Sequence, residues 1–279
     1  MGIIDLHTHS TFSDGTLTPE EIIKLAEKIQ LSAVALTDHD TVSGLDDFMN
    51  FDACNVEKIP GVEISVQMKG YNFHMVGLFI DKSNGIIEEK LQILQNERAN
   101  RNYKIIEKLN QLGFKISIDE LMEIAGEQLG RPHIATLLFK KGYCSSPKEA
   151  FEKFLKKGAP AYFDKFRYSP EEAIKMIHSS NGIAIIAHPG LINISNREKV
   201  ELIKYLKNIG LDGIEVFYSD HTKEDEKFFY EIAMRENLLI SGGSDFHGEN
   251  KKGIELGTGR GNLNIDYKYL EKMKQYLGV

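Results

Sequence analysis

The 279-residue chain has two cysteines, Cys54 and Cys144. They lie far apart and outside any CxxC spacing, so they read as reduced thiols of a cytoplasmic protein rather than a disulfide framework. No apolar run approaches the roughly 18 residues of a membrane span, and no membrane partner is expected. The first residues, MGIIDLH, lack the basic and apolar segments of a secretory leader. Leu6 stands where a myristoylation signal needs Ser or Thr. There is no GxSxG nucleophile elbow and no Gly-rich phosphate loop. Gly257-Thr258-Gly259-Arg260-Gly261 does not clearly open a helix and reads as a turn. Basic residues are outnumbered, 34 Lys and Arg against 41 Asp and Glu, for a net charge of −7. That argues against sequence-independent binding to duplex nucleic acid. It leaves a phosphate substrate open, because bound metal ions would change the local field.

Histidine next to carboxylate is what the chain does have. Residues 3–6 read as a buried strand, followed at once by His7-Thr8-His9. Side chains alternate in an extended chain, so the two imidazoles project on one side about 7 Å apart, a spacing that can chelate one ion. Asp14 follows in a turn as a hard oxygen ligand. A merely polar strand end is the alternative at this point.

The pattern recurs along the chain. Thr18-Pro19-Glu20-Glu21 is a helix start with N-cap, Pro at the first position and a capping box, and Ser169-Pro170-Glu171-Glu172 repeats it. Residues 33–37 form a short apolar run ending in Asp38-His39-Asp40. A strand over 59–65 carries Glu63. Another spans 71–80, but its His74 sits near the start, not the end. After a helix, residues 182–187 form a strand ending in His188; a strand over 213–217 contains Glu215 and leads to His221; the last strand, 238–241, precedes Asp245 and His247. Alternating strands and helices predict parallel strands with crossover helices, seven in number, with polar residues gathered at the carboxyl face as in β/α barrels. Residues 88–168 differ. They read as one long helix closed by Gly113 and three shorter ones over 118–126, 132–140 and 147–155, with 15 Lys and Arg against 11 Asp and Glu. The expected organisation is a barrel of residues 1–87 and 169–279 carrying the site, with 88–168 as a helical insertion covering it.

Five of the six histidines His7, His9, His39, His74, His188 and His247 directly follow predicted strands, and Asp14, Asp38, Glu63 and Asp245 join them. Imidazole with carboxylate suits zinc, manganese or iron. The set is too large for one ion. Glu63, the only acid on its strand, is the expected bridge between two. Two or three ions could bind phosphate oxygens, lower the pKa of a bound water and stabilise a leaving oxygen.

DLHTHSTFSDG, TDHDT, PGVEIS, AHPG and GGSDFHG together resemble the polymerase-and-histidinol-phosphatase (PHP) superfamily of metal-dependent phosphoesterases. GRPHIA at residues 130–135 and KGYCSSPKEAF are similar to its stand-alone branch of nucleoside 3′,5′-bisphosphate phosphatases and 5′-to-3′ exoribonucleases acting on short RNA. The resemblance implies a distorted seven-stranded β/α barrel and a three-metal site. By residue match, one ion takes His7, His9, Glu63 and Asp245, a second shares Glu63 and adds His74 and His188, and a third takes Asp14, His39 and His247. Some relatives carry His where this chain has Asp14, which points to a harder third ion. Asp14, Glu63, His188 and His247 form the expected catalytic subset. Asp38 is expected to orient His39 or a neighbour. Arg131, suited to bidentate phosphate binding, His133 and His221 are the candidates for substrate contact, with a helix-start salt bridge as the alternative for Arg131. His178, in mid-helix, reads as a surface or packing residue. The expected substrate is a phosphorylated small molecule or short RNA. The alternatives are a histidinol-phosphate phosphatase, which fits GRPHIA and the helical insertion less well, and a non-catalytic metal-binding regulatory module.

Overall fold

The computed structural model describes residues 2–53, 55–68, 70–125 and 129–279. The expectation for the Cys54 thiol and the expected helix end at Gly126 therefore lie outside the described residues. The strands are β1 (Ile4–Asp5), β2 (Ala33–Leu36), β3 (Glu57–Met68), β4 (Tyr71–Leu78), β5 (Ile183–Ile186), β6 (Gly213–Tyr218) and β7 (Leu239–Gly243). They form one sheet in chain order. Backbone bonds from Leu6 N to Gly242 O (3.1 Å) and from Asp245 N to His7 O (2.8 Å) join its first and last members, so the barrel is nearly closed.

Six strands run parallel, but β4 is antiparallel to both β3 and β5. The expectation of an all-parallel barrel is corrected here. The cause is local: β3 and β4 are joined by two residues, ending in Gly70 at φ +85°, and so short a link permits only a hairpin. The reversal also explains His74. The start of a reversed strand lies at the same mouth as the ends of its neighbours, and His74 pairs with Ser65 while its carbonyl accepts from Ala187 N at 3.0 Å.

Helices α1 (Pro19–Lys28) and α2 (Leu45–Asn50) lie among the first strands. In α1 the Thr18 side chain accepts from Glu21 N and the Glu21 carboxylate accepts from Thr18 N at 2.8 Å, the expected capping box. Ile22, Ile23 and Ala26 are buried, whereas Ile29, at the C-cap, turns out to solvent. Burying an Ile side chain contributes roughly 1.5–3 kcal/mol, so this stripe outweighs the cap, worth about 1 kcal/mol, in holding α1 down.

The chain divides into two compact units, one of residues 1–91 and 167–279, the other of Gln92–Phe166. Helix α3 (Ile86–Gln111) runs from the first into the second and stops before Gly113, whose φ of +94° suits only glycine without strain. The second unit continues with α4 (Ile118–Ala125), α5 (Arg131–Lys140) and α6 (Pro147–Ala150), the last running on as one π-helical turn, Phe151–Leu155. It has a core of its own, built on Ile105, Leu109, Leu121, Ile134, Leu138 and Leu155. The barrel is completed by α7 (Pro170–Ser179), capped by Ser169 and Glu172 as expected, then α8 (Asn196–Asn208), α9 (Lys223–Glu236) and α10 (Lys268–Leu277). Among the described residues no helix is long and apolar enough to cross a membrane.

Candidate metal centre

Nine side chains converge at the barrel mouth. Residues just past β1 supply His7, His9 and Asp14. His39 follows β2, Glu63 lies in β3, His74 in β4, His188 follows β5, and Asp245 and His247 follow β7. The imidazoles form a ring around Glu63. Successive centroids are 5.1 Å apart from His7 to His9, 4.3 Å to His39, 5.1 Å to His74, 5.3 Å to His188 and 5.7 Å back to His7. His247 stacks outside the ring, 4.1 Å from His9.

The two oxygens of Glu63 face different members of that ring. Oε1 lies 2.9 Å from His74 Nδ1 and 2.9 Å from His188 Nε2. Oε2 lies 2.7 Å from His39 Nδ1, 3.3 Å from His9 Nε2 and 3.4 Å from His7 Nε2. Asp245 Oδ1 lies 3.3 Å from His9 Nε2 and 3.8 Å from His7 Nε2. Asp14, at the rim and half exposed, places Oδ1 3.1 Å from His247 Nε2 and 3.8 Å from His39 Nε2. Four groupings have ligand atoms mutually within 4.8 Å: His9, Asp14, His39 and His247; His7, His9 and Glu63; His7, His188 and Asp245; His39, Glu63 and His74.

Divalent cations fit this donor set. His7 Nε2, both ring nitrogens of His9, His74 Nδ1 and Glu63 Oε2 are buried without a well-aligned hydrogen bond, even though His39 Nδ1 is close to Glu63 Oε2. Orphaned buried polar atoms are costly unless something else satisfies them. Two ligands about 2.1 Å from one tetrahedral ion stand about 3.4 Å apart, and the His7, His9, Glu63 and Asp245 separations of 3.3, 3.4 and 3.8 Å match that spacing.

The electrostatics agree. Burial alone would raise Glu63, but His39, His74 and His7 hold it well below the usual carboxylate range. Burial opposes charge on His7, yet Glu215, Glu63 and Asp245 push it well above its ordinary value. His39 is likewise raised to about 9, Glu63 outweighing burial. His9, by contrast, is pushed down to about 3 by burial and the charge of His39. Without a cation, the cluster stores protons where cations would sit.

The backbone is bent to make the convergence. Asp40, His188 and Asp245 adopt φ of +53°, +30° and +57°, left-handed values that cost a non-glycine residue on the order of 1–3 kcal/mol. Each is tied in place: Asp40 N donates to Glu63 O at 2.8 Å, His188 N to Glu215 Oε2 at 2.6 Å, and Asp245 N to His7 O at 2.8 Å.

Several supports were not anticipated. Glu215 Oε1 lies 2.8 Å from His7 Nδ1. Asp5 accepts from Ser244 N (2.8 Å), Ser244 Oγ (2.5 Å) and Gly257 N (2.8 Å), fixing the loop that carries Asp245. Tyr218 donates to Asp245 Oδ2 at 2.9 Å. An acid in the middle of an apolar strand, as in IIDL and GIEVF, was the available signal for the two carboxylates. Asp38 bonds Ser10 and Ser13 at 2.5 to 2.7 Å, so the neighbour it orients is the loop leading to Asp14, not His39. The glycine-rich segment is a turn: Gly259 N donates to Glu255 O and Gly261 N to Thr258 O.

The substrate candidates separate. His221 is buried, with Nδ1 donating to Val216 O at 2.8 Å and Nε2 accepting from Gly190 N at 3.1 Å. It has no ring nitrogen left for a phosphate, so the expectation of substrate contact is corrected. It props the loop after His188 instead. In the helical unit, the Arg131 guanidinium lies 5.3 and 5.4 Å from the rings of Phe151 and Tyr162 and donates to Leu155 O at 2.9 Å. No ion pair to it is found among the described residues. His133 has a buried, unpartnered Nδ1 and is lowered by burial. His178 is half exposed and paired with Asp212 at 2.7 Å.

A barrel whose mouth gathers six imidazoles and three carboxylates defines a metal-dependent hydrolase. The chain belongs to the PHP family: it matches the PHP domain over residues 5–214. It is 35% identical over 244 residues to a 5′-3′ exoribonuclease of Haemophilus influenzae, covering 87% of this chain and 89% of that one. It is 34% identical over 260 residues to a 3′,5′-nucleoside bisphosphate phosphatase of Chromobacterium violaceum, covering 92% and 91%. A solved structure from Bifidobacterium adolescentis, described as an inferred metal-dependent phosphoesterase, superposes with a TM-score of 0.78 at 28% identity over 98% and 95% of the two chains. The protein is thus a metal-dependent phosphoric ester hydrolase of the PHP family.

Proposed function

We propose that this enzyme removes a phosphate monoester from a nucleoside 3′,5′-bisphosphate and trims short 5′-phosphorylated RNA by the same chemistry. The observation that carries the reading is Glu63, each of whose oxygens faces a separate set of imidazoles. On this reading His7, His9, Glu63 and Asp245 hold one cation. Glu63, His74 and His188 hold a second. Asp14, His39 and His247 hold a third, with His9 close enough to join them. Bound manganese, zinc or iron would polarise the phosphate and lower the pKa of a water molecule.

The chain's own residues do the rest. Glu63 turns one oxygen to His74 and His188 and the other to His7, His9 and His39, so its single negative charge would serve two cations. Glu215 holds the His7 ring so that Nε2 points inward. Asp14 and His247, at the rim, set the outer edge of the space for a phosphate.

The choice of a bisphosphate rests on the relatives and on Arg131. A guanidinium flanked by two aromatic rings, with no carboxylate partner among the described residues, is prepared to take an anion. We assign it, with His133 in support, to a second phosphate, the one not being cleaved. Phosphate release from adenosine 3′,5′-bisphosphate and from p-nitrophenyl phosphate, measured with added manganese, tests this. Arg131→Ala should lower kcat/KM about ten- to a hundredfold on the bisphosphate and much less on the simple ester. Equal losses on both would remove the support for bisphosphate selectivity.

A further inference from the structure

Among the described residues, Lys251 is the one lysine or arginine seen to touch a carboxylate of the cluster. It ends the short 3-10 turn Gly248–Asn250, just past His247, and its ammonium hydrogen-bonds Asp245 Oδ2. The Tyr218 hydroxyl donates to the same oxygen at 2.9 Å, and Lys251 Nζ lies 3.2 Å from that hydroxyl and 5.6 Å from the Tyr218 ring centroid. The other oxygen, Oδ1, faces inward, 3.3 Å from His9 Nε2, 3.3 Å from His247 Nδ1 and 3.8 Å from His7 Nε2. Asp245 therefore has one capped oxygen and one presented to the cluster. Its left-handed backbone is tied in place through Asp245 N to His7 O at 2.8 Å.

We propose that Lys251 is a positioning residue that limits how tightly Asp245 holds a cation. The proposal rests on the reading of the cluster as a cation site. Two effects act together. With Oδ2 occupied by Lys251 and Tyr218, Asp245 is restricted to one-oxygen ligation, whereas a free carboxylate can offer both oxygens to one ion. The ammonium also draws on the carboxylate's charge and repels a cation on its far side. A cation held at Asp245 would then be less fully neutralised by this carboxylate and would keep more charge for an incoming phosphate.

Titration calorimetry of the full-length, chelator-stripped protein with manganese chloride tests this without an activity assay. Lys251→Met keeps the apolar stem and removes the charge. It should bind one class of Mn2+ about tenfold more tightly than the wild type, the order expected for removing one like charge close to a divalent cation. Lys251→Arg, which keeps the charge, should stay within about twofold of wild type. Lys251→Gln, which keeps a donor for Oδ2 without the charge, should shift in the same direction as Lys251→Met, and it decides the matter if Lys251→Met does not fold by circular dichroism. Equal or weaker Mn2+ binding in the uncharged variants overturns the role of Lys251. A folded wild type that takes up no Mn2+ overturns the cation reading, and this proposal with it.

Discussion

Glu215 Oε1 lies 2.8 Å from Nδ1 of His7, and that contact decides which nitrogen of His7 faces Glu63. With Nδ1 donating outward, the Nε2 lone pair is turned inward, the arrangement that a carboxylate behind a metal-ligating histidine imposes. The second oxygen of Glu215 accepts from His188 N at 2.6 Å, so one side chain sets both a tautomer and a strained backbone. Glu215→Gln should weaken Mn2+ binding about ten- to a hundredfold while leaving the barrel folded. Calorimetry with a circular-dichroism check measures both, and unchanged affinity would show that His7 is oriented by packing alone.

Glu63→Gln should be more damaging than loss of any one histidine. The substitution preserves shape but removes the charge that two sets of imidazoles face. Metal content and turnover should both fall further than in His7→Ala, His39→Ala or His188→Ala. Near-normal metal content in Glu63→Gln would mean that Glu63 does not bridge.

Asp14→Ala should weaken one cation selectively. Asp14 appears in one of the four groupings, beside His9, His39 and His247, and its side chain is 56% exposed. Activity should drop and recover in part with excess manganese, and elemental analysis should find one ion fewer. A uniform loss of all ions would assign Asp14 to the whole cluster.

Cation uptake should release protons. In the ion-free protein His39 titrates at about 9, because Glu63 outweighs the effect of burial. At pH 7 it is therefore protonated, and a cation must displace that proton. The sign follows: affinity for Mn2+ should rise with pH between pH 6 and 8, about tenfold per unit for each proton displaced. Calorimetry in two buffers of different ionisation heat counts the protons, and finding none at pH 7 would contradict a charged His39.

The strands were legible because each ends its apolar run with a polar residue and because capping boxes at Thr18 and Ser169 mark where helices begin. Individual residues were legible where a side chain acts through its own position in the chain, as His7 and His9 do. The direction of β4 was not, since an apolar run looks the same read either way and only its two-residue link to β3 carries the information. Glu215 and Lys251 were missed for a different reason. They act through partners 208 and 6 residues away: an acid within the apolar strand GIEVF marks Glu215 as unusual, but no local pattern names the imidazole it faces across the barrel. His221 was misread because position after a strand says nothing about whether both ring nitrogens are already taken.

The reversed β4 also bears on how such a chain can change over generations. Leu78, the last residue of β4, pairs with Ile183, the first of β5, so the intervening chain leaves and re-enters at one end of two adjacent strands. The Tyr168 hydroxyl donates to Lys90 O at 2.9 Å, holding together the points where the helical segment departs and returns. Residues 92–166, with their own core, are thus hung on the barrel as a cassette. Lengthening, trimming or exchanging that cassette re-threads no strand of the barrel. That segment can thus vary in length or sequence while the nine side chains, all from outside it, are inherited as a block.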